Sequence, residues 1–218
     1  FAGVFQFTNQ GARQFSLEAK PENIEELAAL TAIYRPGPLK ANVHRKYVKA
    51  KKNANSIKYD HPIIKEILGP TFGFVTFQEQ FMLLAQKLAG FNPGESDKLR
   101  KTLVKKSLDT LHSKGSEKAK AREKFIKGSK ELNNVPESVS SKLWAEIEFF
   151  SVYGFNKSHA VAYAIDSYYA AWLHTHYETE WLATILQSEN GNPKGMSKAI
   201  SEIKSFGYEI AAIDINHS

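Results

Sequence analysis

The stretch QEQFMLLAQKLAGFNPGESDKLRKTLVKK, Gln78 to Lys106, decides the fold class, because it holds two helices and the signals that separate them. QEQFMLLAQKLAG reads as a helix closed at Gly90, a residue that accepts the left-handed backbone on which helices end. Asn92 then stands where an N-cap belongs, Pro93 at the first helical position and Glu95 three residues after the cap, which together start a second helix. Upstream, TFGFVTF has the β-branched and aromatic content of a brief extended segment, and HPIIKEIL reads as a short helix. In YRPGPL, two prolines around Gly37 predict an extended turn, since each fixes its own φ and pushes the preceding residue out of the helical region. PENIEELAALTAI before it is a helix with Pro21 and early glutamates at its start.

Downstream, the lysine-rich region after Ser107 predicts one or two exposed helices interrupted at Gly115. A further helix opens near Pro136 and runs through SKLWAEIEFF. Others fit Ser158 to His176, Thr179 to Glu189, and Pro193 to Phe206, with Gly207 ending the last before YEIAAIDIN extends. There is no internal repeat and no low-complexity linker. The expected class is mainly α: many helices, with short extended segments at the edges.

Composition sets limits on function. The 218 residues, 42% apolar and 12% aromatic, supply a sizeable core. With no cysteine, neither a disulfide framework nor a thiolate metal site is available, which suits a reducing cytoplasm. AVAYAIDSYYAAWL is broken by Asp166 and Ser167, well short of the roughly 18 apolar residues of a membrane span, so no membrane partner is expected. A start at Phe1 without a methionine or a basic-then-apolar leader reads as a piece of a longer chain.

The net charge of +6 conceals segregation. Arg35 to Lys58 contains eight basic residues and no acidic one, and Lys98 to Lys130 twelve basic and three acidic, so these segments carry +17 and the remainder about −11. Segregated charge of this size forms a positive surface suited to phosphate backbones, with acidic proteins, membrane surfaces and plain solvated helix faces as the other readings. Along the helix from Pro93, Lys101 and Lys105 lie four apart, flanked by Arg100 and Lys106, with no carboxylate after Asp97, a cluster fit for a polyphosphate or a DNA backbone. At NKSHAVAY, the N–H groups of a helix start lie beside Lys157, another arrangement that receives anions, with Ser158 as a candidate cap and His159 on the first turn.

Other patterns are weaker. His174 and His176 point to different sides of a helix and have no cysteine or carboxylate at ligand spacing, so no zinc site is expected. There is no Walker motif, no dinucleotide fingerprint and no Gly-x-Ser-x-Gly elbow. Tyr168, Tyr169, Trp172 and Leu173 at helical spacing fit core better than the alternative, a stacking platform. Glu79 between two glutamines fits either a functional role or a helix-start hydrogen-bond network.

Taken in order, GVFQF, YRPGPL, FGFVTFQEQFM, LAGF, LRKTLVKK, YGFNKSHAVAYA and DIN resemble the alpha subunits of bacterial DNA polymerase III, the family C replicative polymerases. The resemblance spans almost the whole chain. It implies the C-terminal edge of a palm domain over 1–33, a helical fingers domain over 34–206 and the start of the next segment over 207–218. It also implies a role in holding an incoming dNTP over primer-template DNA. Arg100 and Lys101 match the family's basic pair on the triphosphate, usually two arginines, and Lys101 gives up the bidentate fork. Lys105 and Lys106 match a double lysine, with Val104 where glycine is common. Lys157 would add charge near phosphate, His159 would sit by the sugar, and Tyr153 and Phe155 would pack near the nascent pair. Arg35 and Gln78 to Gln80 are either architectural or template-facing, and Lys46 and Lys49 of the basic stretch would meet DNA. Thr8 and Asn9 replace a frequent glutamate-serine.

The family's chemistry uses Mg2+ on palm aspartates. The five aspartates here, at 60, 97, 109, 166 and 214, form no Asp-x-Asp pair, so no catalytic or metal residue is expected in this segment and the ion would lie outside it. Sliding clamp and other replisome proteins would bind through other regions. The alternative is a stand-alone nucleic-acid-binding helical module without polymerase activity.

Overall fold

A computed structural model describes residues 2–104, 116–151 and 154–211. The described residues form twelve α-helices and no sheet. In order these are α1 (Gln10–Ala19), α2 (Ile24–Ile33), α3 (Pro36–Lys40), α4 (Val43–Lys52), α5 (Pro62–Leu68), α6 (Gln78–Ala89), α7 (Pro93–Val104), α8 (Glu117–Asn133), α9 (Glu137–Ser151), α10 (Lys157–His176), α11 (Glu178–Ser188) and α12 (Pro193–Ser205). The chain divides into two compact units, Phe15–Ala164 and a smaller one of Phe1–Gln14 with Ile165–Ser218.

In the larger unit α6 is the central strut, with α5, α7, α8 and α9 packed on it. Its Phe81, Leu84 and Leu88 are fully buried beside Phe125 of α8 and Trp144 of α9. Both ends of α6 are closed by side chains. The Gln80 Oε1 accepts from the Thr76 and Phe77 N–H groups at 2.8 and 3.0 Å, filling the orphan donors that precede a helix. Asn133 Nδ2 donates to the Lys87 and Leu88 carbonyls at 3.1 and 2.8 Å, and Gly90 turns the chain with φ 71°. The second helix starts as its sequence requires: Glu95 N–H donates to Asn92 Oδ1 and Asn92 N–H to Glu95 Oε2, both at 2.9 Å.

Two helices go beyond the sequence reading. α1 buries Ala12, Phe15 and Ala19, and α4, inside the basic stretch, buries Val43, Tyr47 and Val48; Arg45, Lys46, Lys49 and Lys52 stay exposed, while Lys51 is tucked in against Glu26. YRPGPL departs from the expected extended turn. Arg35 is extended, with φ −141° and ψ 156°, as the residue before a proline should be, but the next five residues form α3 with Pro36 in its first turn. A first turn leaves its N–H groups unpaired, so proline costs nothing there. FGFVTF supplies one extended contact, a parallel bridge between Phe77 and Phe155.

In the smaller unit, α11 and α12 pack through Leu182 and Ile203 against Ala2, and Trp181 Nε1 donates to the Ala2 carbonyl at 2.9 Å. Tyr168, Tyr169, Trp172 and Leu173, expected in the core, are exposed; Tyr169 keeps 59% of its surface. Their helical spacing is compatible with burial, but nothing among the described residues covers that face.

Two substitutions test this packing. A Cβ on Gly128 of α8 would stand 2.2 Å from the Ala89 carbonyl oxygen, so Gly128→Ala forces α8 off α6 and should cost ~2 kcal/mol, read as a lower denaturation midpoint. Among the described residues the buried Tyr47 hydroxyl has no hydrogen-bond partner, so Tyr47→Phe should stabilise the fold by ~1 kcal/mol, read as a higher midpoint; a fall would show that the hydroxyl is paired.

Candidate anion and nucleic-acid site at the start of α10

The start of α10 is fastened to the start of α6 by the triplet Gln78–Glu79–Gln80. The Gln78 N–H donates to the Phe155 carbonyl at 2.9 Å, and its Nε2 to the Gly154 carbonyl at 3.1 Å. Glu79 accepts from Asn156 Nδ2 at 2.7 Å with one oxygen and from the Lys157 N–H at 2.9 Å with the other. A carboxylate at this position meets both a free donor and the positive end of the helix dipole. Of the two uses open to Glu79, the hydrogen-bond network is the one observed, and it serves the neighbouring helix. The cap of α10 is Asn156, whose Oδ1 accepts from the His159 N–H at 2.9 Å and from the Ser158 hydroxyl at 2.6 Å. Ser158 therefore supports the cap instead of forming it. The first turn of α10 is not bare: carboxylate and amide oxygens already occupy it.

Around this start lies a run of rings and cations. The Arg35 guanidinium stacks over Phe155 at 4.3 Å, Phe155 meets His159 at 5.3 Å, and His159 meets Tyr163, one turn on, at 4.1 Å between centroids. Burial pulls the Arg35 guanidinium below its ordinary pKa. His159 is exposed and Phe155 half-buried. Lys157 Nζ pairs with Glu25 Oε1 at 2.7 Å and lies 6.0 Å from the Phe77 ring. A small cavity of about 170 Å³ opens beside the pair, with Glu25, Phe77, Glu79 and Lys157 in its wall. Thus Arg35, Gln78, Phe155, Lys157 and His159 come together in one neighbourhood.

The cations of α7 are arranged differently from the sequence reading, which left them without a counter-ion. Asp97 accepts from Arg100 at 2.8 and 3.0 Å and from Lys101 at 2.7 Å, because residues three and four ahead share its face. Those bonds, Lys101's first and then Arg100's, hold the Asp97 carboxyl below the usual aspartate range. Its pairing is intact above that range and is lost as pH falls through the depressed value. Among the described residues Arg100 and Lys101 share Asp97, whereas Lys157 pairs with Glu25, so the two groups of cations are not joined by a common counter-ion. Lys46 and Lys49 lie exposed on α4. Lys105, Lys106 and Tyr153 fall outside the described residues. Among the described residues no three His, Asp or Glu side chains cluster as metal ligands, and no helix is long and apolar enough to cross a membrane.

Glu25 and Asn156 are the site residues that sequence reasoning missed. Asn156 had a signal, since asparagine caps at least as well as serine and stands three before His159. Glu25 had none: it lies 132 residues from Lys157 in the chain.

Comparison with known proteins places this chain in a family. Residues 1–133 match the model of the bacterial DNA polymerase III alpha subunit finger domain. The chain is 39% identical to the DNA polymerase III subunit alpha of Aquifex aeolicus over 99% of its own length, and 38% identical to that of Borreliella burgdorferi over 100%. The subunit of Vibrio cholerae is 36% identical over 98%. The chain spans about 18% of the length of these relatives. On this match the chain belongs to the bacterial DNA polymerase III alpha subunit family, as a member of its finger-domain region.

Proposed function

We propose that this segment holds the triphosphate of an incoming dNTP and the adjoining primer-template DNA for a replicative DNA polymerase. The observation that carries the reading is the meeting of Arg35, Phe155, Lys157 and His159 at the start of α10, where stackable faces adjoin cationic charge. Arg100 and Lys101 would meet the triphosphate, joined on the resemblance by Lys105 and Tyr153. Lys157 would neutralise phosphate charge, and His159 would lie against the sugar. Arg35, Lys46, Lys49, Gln78 and Lys106 would face DNA.

The carboxylates now paired with these cations do not oppose the reading. Arg100–Asp97, Lys101–Asp97 and Lys157–Glu25 are solvent-accessible pairs. Such pairs contribute only ~0–1 kcal/mol, while charge-assisted bonds to phosphate contribute ~1.5–3 kcal/mol. A triphosphate can therefore take over the cations at small cost, leaving the carboxylates to water.

In template-directed synthesis the primer hydroxyl displaces pyrophosphate from the α-phosphorus. The segment would contribute position and charge neutralisation to that step. Mg2+ supplies Lewis-acid activation in such chemistry; with no Asp-x-Asp pair here, the ion would be held elsewhere in the parent protein, and the segment alone would not polymerise. Clamp and other replisome contacts would likewise lie on other segments.

Two measurements on the full-length polymerase test this. Arg100→Ala should raise the KM for dNTP about 10-fold or more, as loss of a charge-assisted contact requires; unchanged KM and kcat would remove Arg100 from the site. His159→Ala should increase ribonucleotide incorporation relative to deoxyribonucleotide, and equal discrimination by the two proteins would end the sugar-contact assignment.

A further inference from the structure

A second cavity of the Phe15–Ala164 unit lies away from the start of α10. It measures about 720 Å³ and opens between α4, the segment 57–60, the turn at 72–74 and α9. Such a volume falls within the range of built ligand sites, roughly 300–1,000 Å³. Its walls are aromatic and braced. Tyr47, buried behind them, sets its ring edge-on to Phe72 at 5.3 Å and tilted against Phe74 at 6.1 Å. Phe150 meets Phe74 edge-on at 6.2 Å and Phe149 at 5.0 Å. The turn that presents Phe72 is built on two consecutive left-handed residues, Phe72 at φ 52° and Gly73 at φ 88°. A phenylalanine tolerates that backbone only where its surroundings hold it there. Phe149 keeps 46% of its surface exposed beside the opening.

The rim is cationic. Lys46, Lys58 and Lys142 come from three separate elements, all are exposed, and none forms an ion pair among the described residues. Exposed Arg45, Lys49 and Lys52 extend the charge along α4, in a stretch without a single acidic residue. The carboxyl groups of Asp60 and Glu146 complete the lining, and burial pushes the Glu146 carboxyl up.

We propose that this cavity takes an unpaired base of single-stranded DNA, with the flanking phosphates on Lys58, Lys142 and the α4 lysines. Stackable walls inside a positive rim are what a single strand engages, since every base offers a flat face and every linkage a charge. The carboxyl groups can accept from an exocyclic amino group on the base edge. Cations spread over three elements and continuing along α4 fit a strand that runs past the cavity; a free nucleotide would need them converged on one tail. The proposal rests on the DNA-binding reading above and adds a second, single-strand subsite to it.

The test uses the full-length polymerase and fluorescence anisotropy on primer-template duplexes that are blunt, or carry a ten-deoxycytidine template overhang, or carry the same overhang made abasic. The base-bearing overhang should bind about 10-fold tighter than the abasic one. Phe149→Ala should erase that difference and leave blunt-duplex affinity unchanged, with Phe149→Trp restoring it. Lys58→Glu should weaken both overhangs alike. Equal affinity for the two overhangs with duplex binding intact, or a difference that survives Phe149→Ala, overturns the proposal. Displacement of the overhang from the cavity by millimolar free dCMP would reassign it to a mononucleotide. Photocrosslinking of a 5-iodo-dC overhang should label 57–74 or 142–150, and a label confined to other segments also overturns it. Failure of the wild-type protein to bind any of the duplexes would instead sink the reading under Proposed function.

Discussion

The larger unit depends on one placement, the Glu79 carboxylate against the first turn of α10. A helix start presents donors that nothing in the helix can satisfy, and here the first of them, the Lys157 N–H, is met by a side chain from another helix 78 residues earlier. With Gln78 holding the Phe155 carbonyl through its backbone N–H and the Gly154 carbonyl through its side chain, and Gln80 closing its own helix, three adjacent residues fix α6, the preceding bend and the start of α10. Because the fastening uses both backbone and side-chain groups, it sets orientation as well as distance. The rings of Phe155 and His159 inherit their positions from it.

The cations near α10 and on α7 meet a different kind of carboxylate. Glu79 is committed to backbone and amide groups, so it is structural. Glu25 and Asp97 touch only the ends of long side chains at the surface, where attraction is offset by solvation and side-chain freedom. The two kinds of carboxylate have different work: one holds the scaffold, and the others keep mobile charges in place without binding them tightly.

Much of the fold could be read from the sequence because its signals are local. Asn92, Pro93, Glu95 and Gly90 act within a few residues of themselves, and each behaves in the structure as its chemistry requires. Where reading failed, the deciding partner was distant or the pattern sparse. α4 shows only three buried positions among its lysines, and α1 carries its periodicity at Ala12, Phe15 and Ala19 without a strong charge or proline signal. YRPGPL misled because proline forbids a helix interior but not a helix start. For the site, residue types pointed to Lys157, His159 and Arg35, while Glu25 and the far-reaching role of Glu79 emerge only when the chain is folded. Whether the aromatic face of α10 is covered cannot be read from spacing, which reports periodicity and not the presence of a neighbour.

That bare face has a colloidal consequence. Tyr168, Tyr169, Trp172, Leu173 and Tyr177 place five large side chains in water along adjoining turns, on a molecule whose net charge is +6. At low ionic strength mutual repulsion keeps such molecules apart; added electrolyte shortens the reach of that repulsion and leaves the sticky surface unopposed. Isolated from any covering surface, the segment would be a polypeptide that salt drives toward self-association.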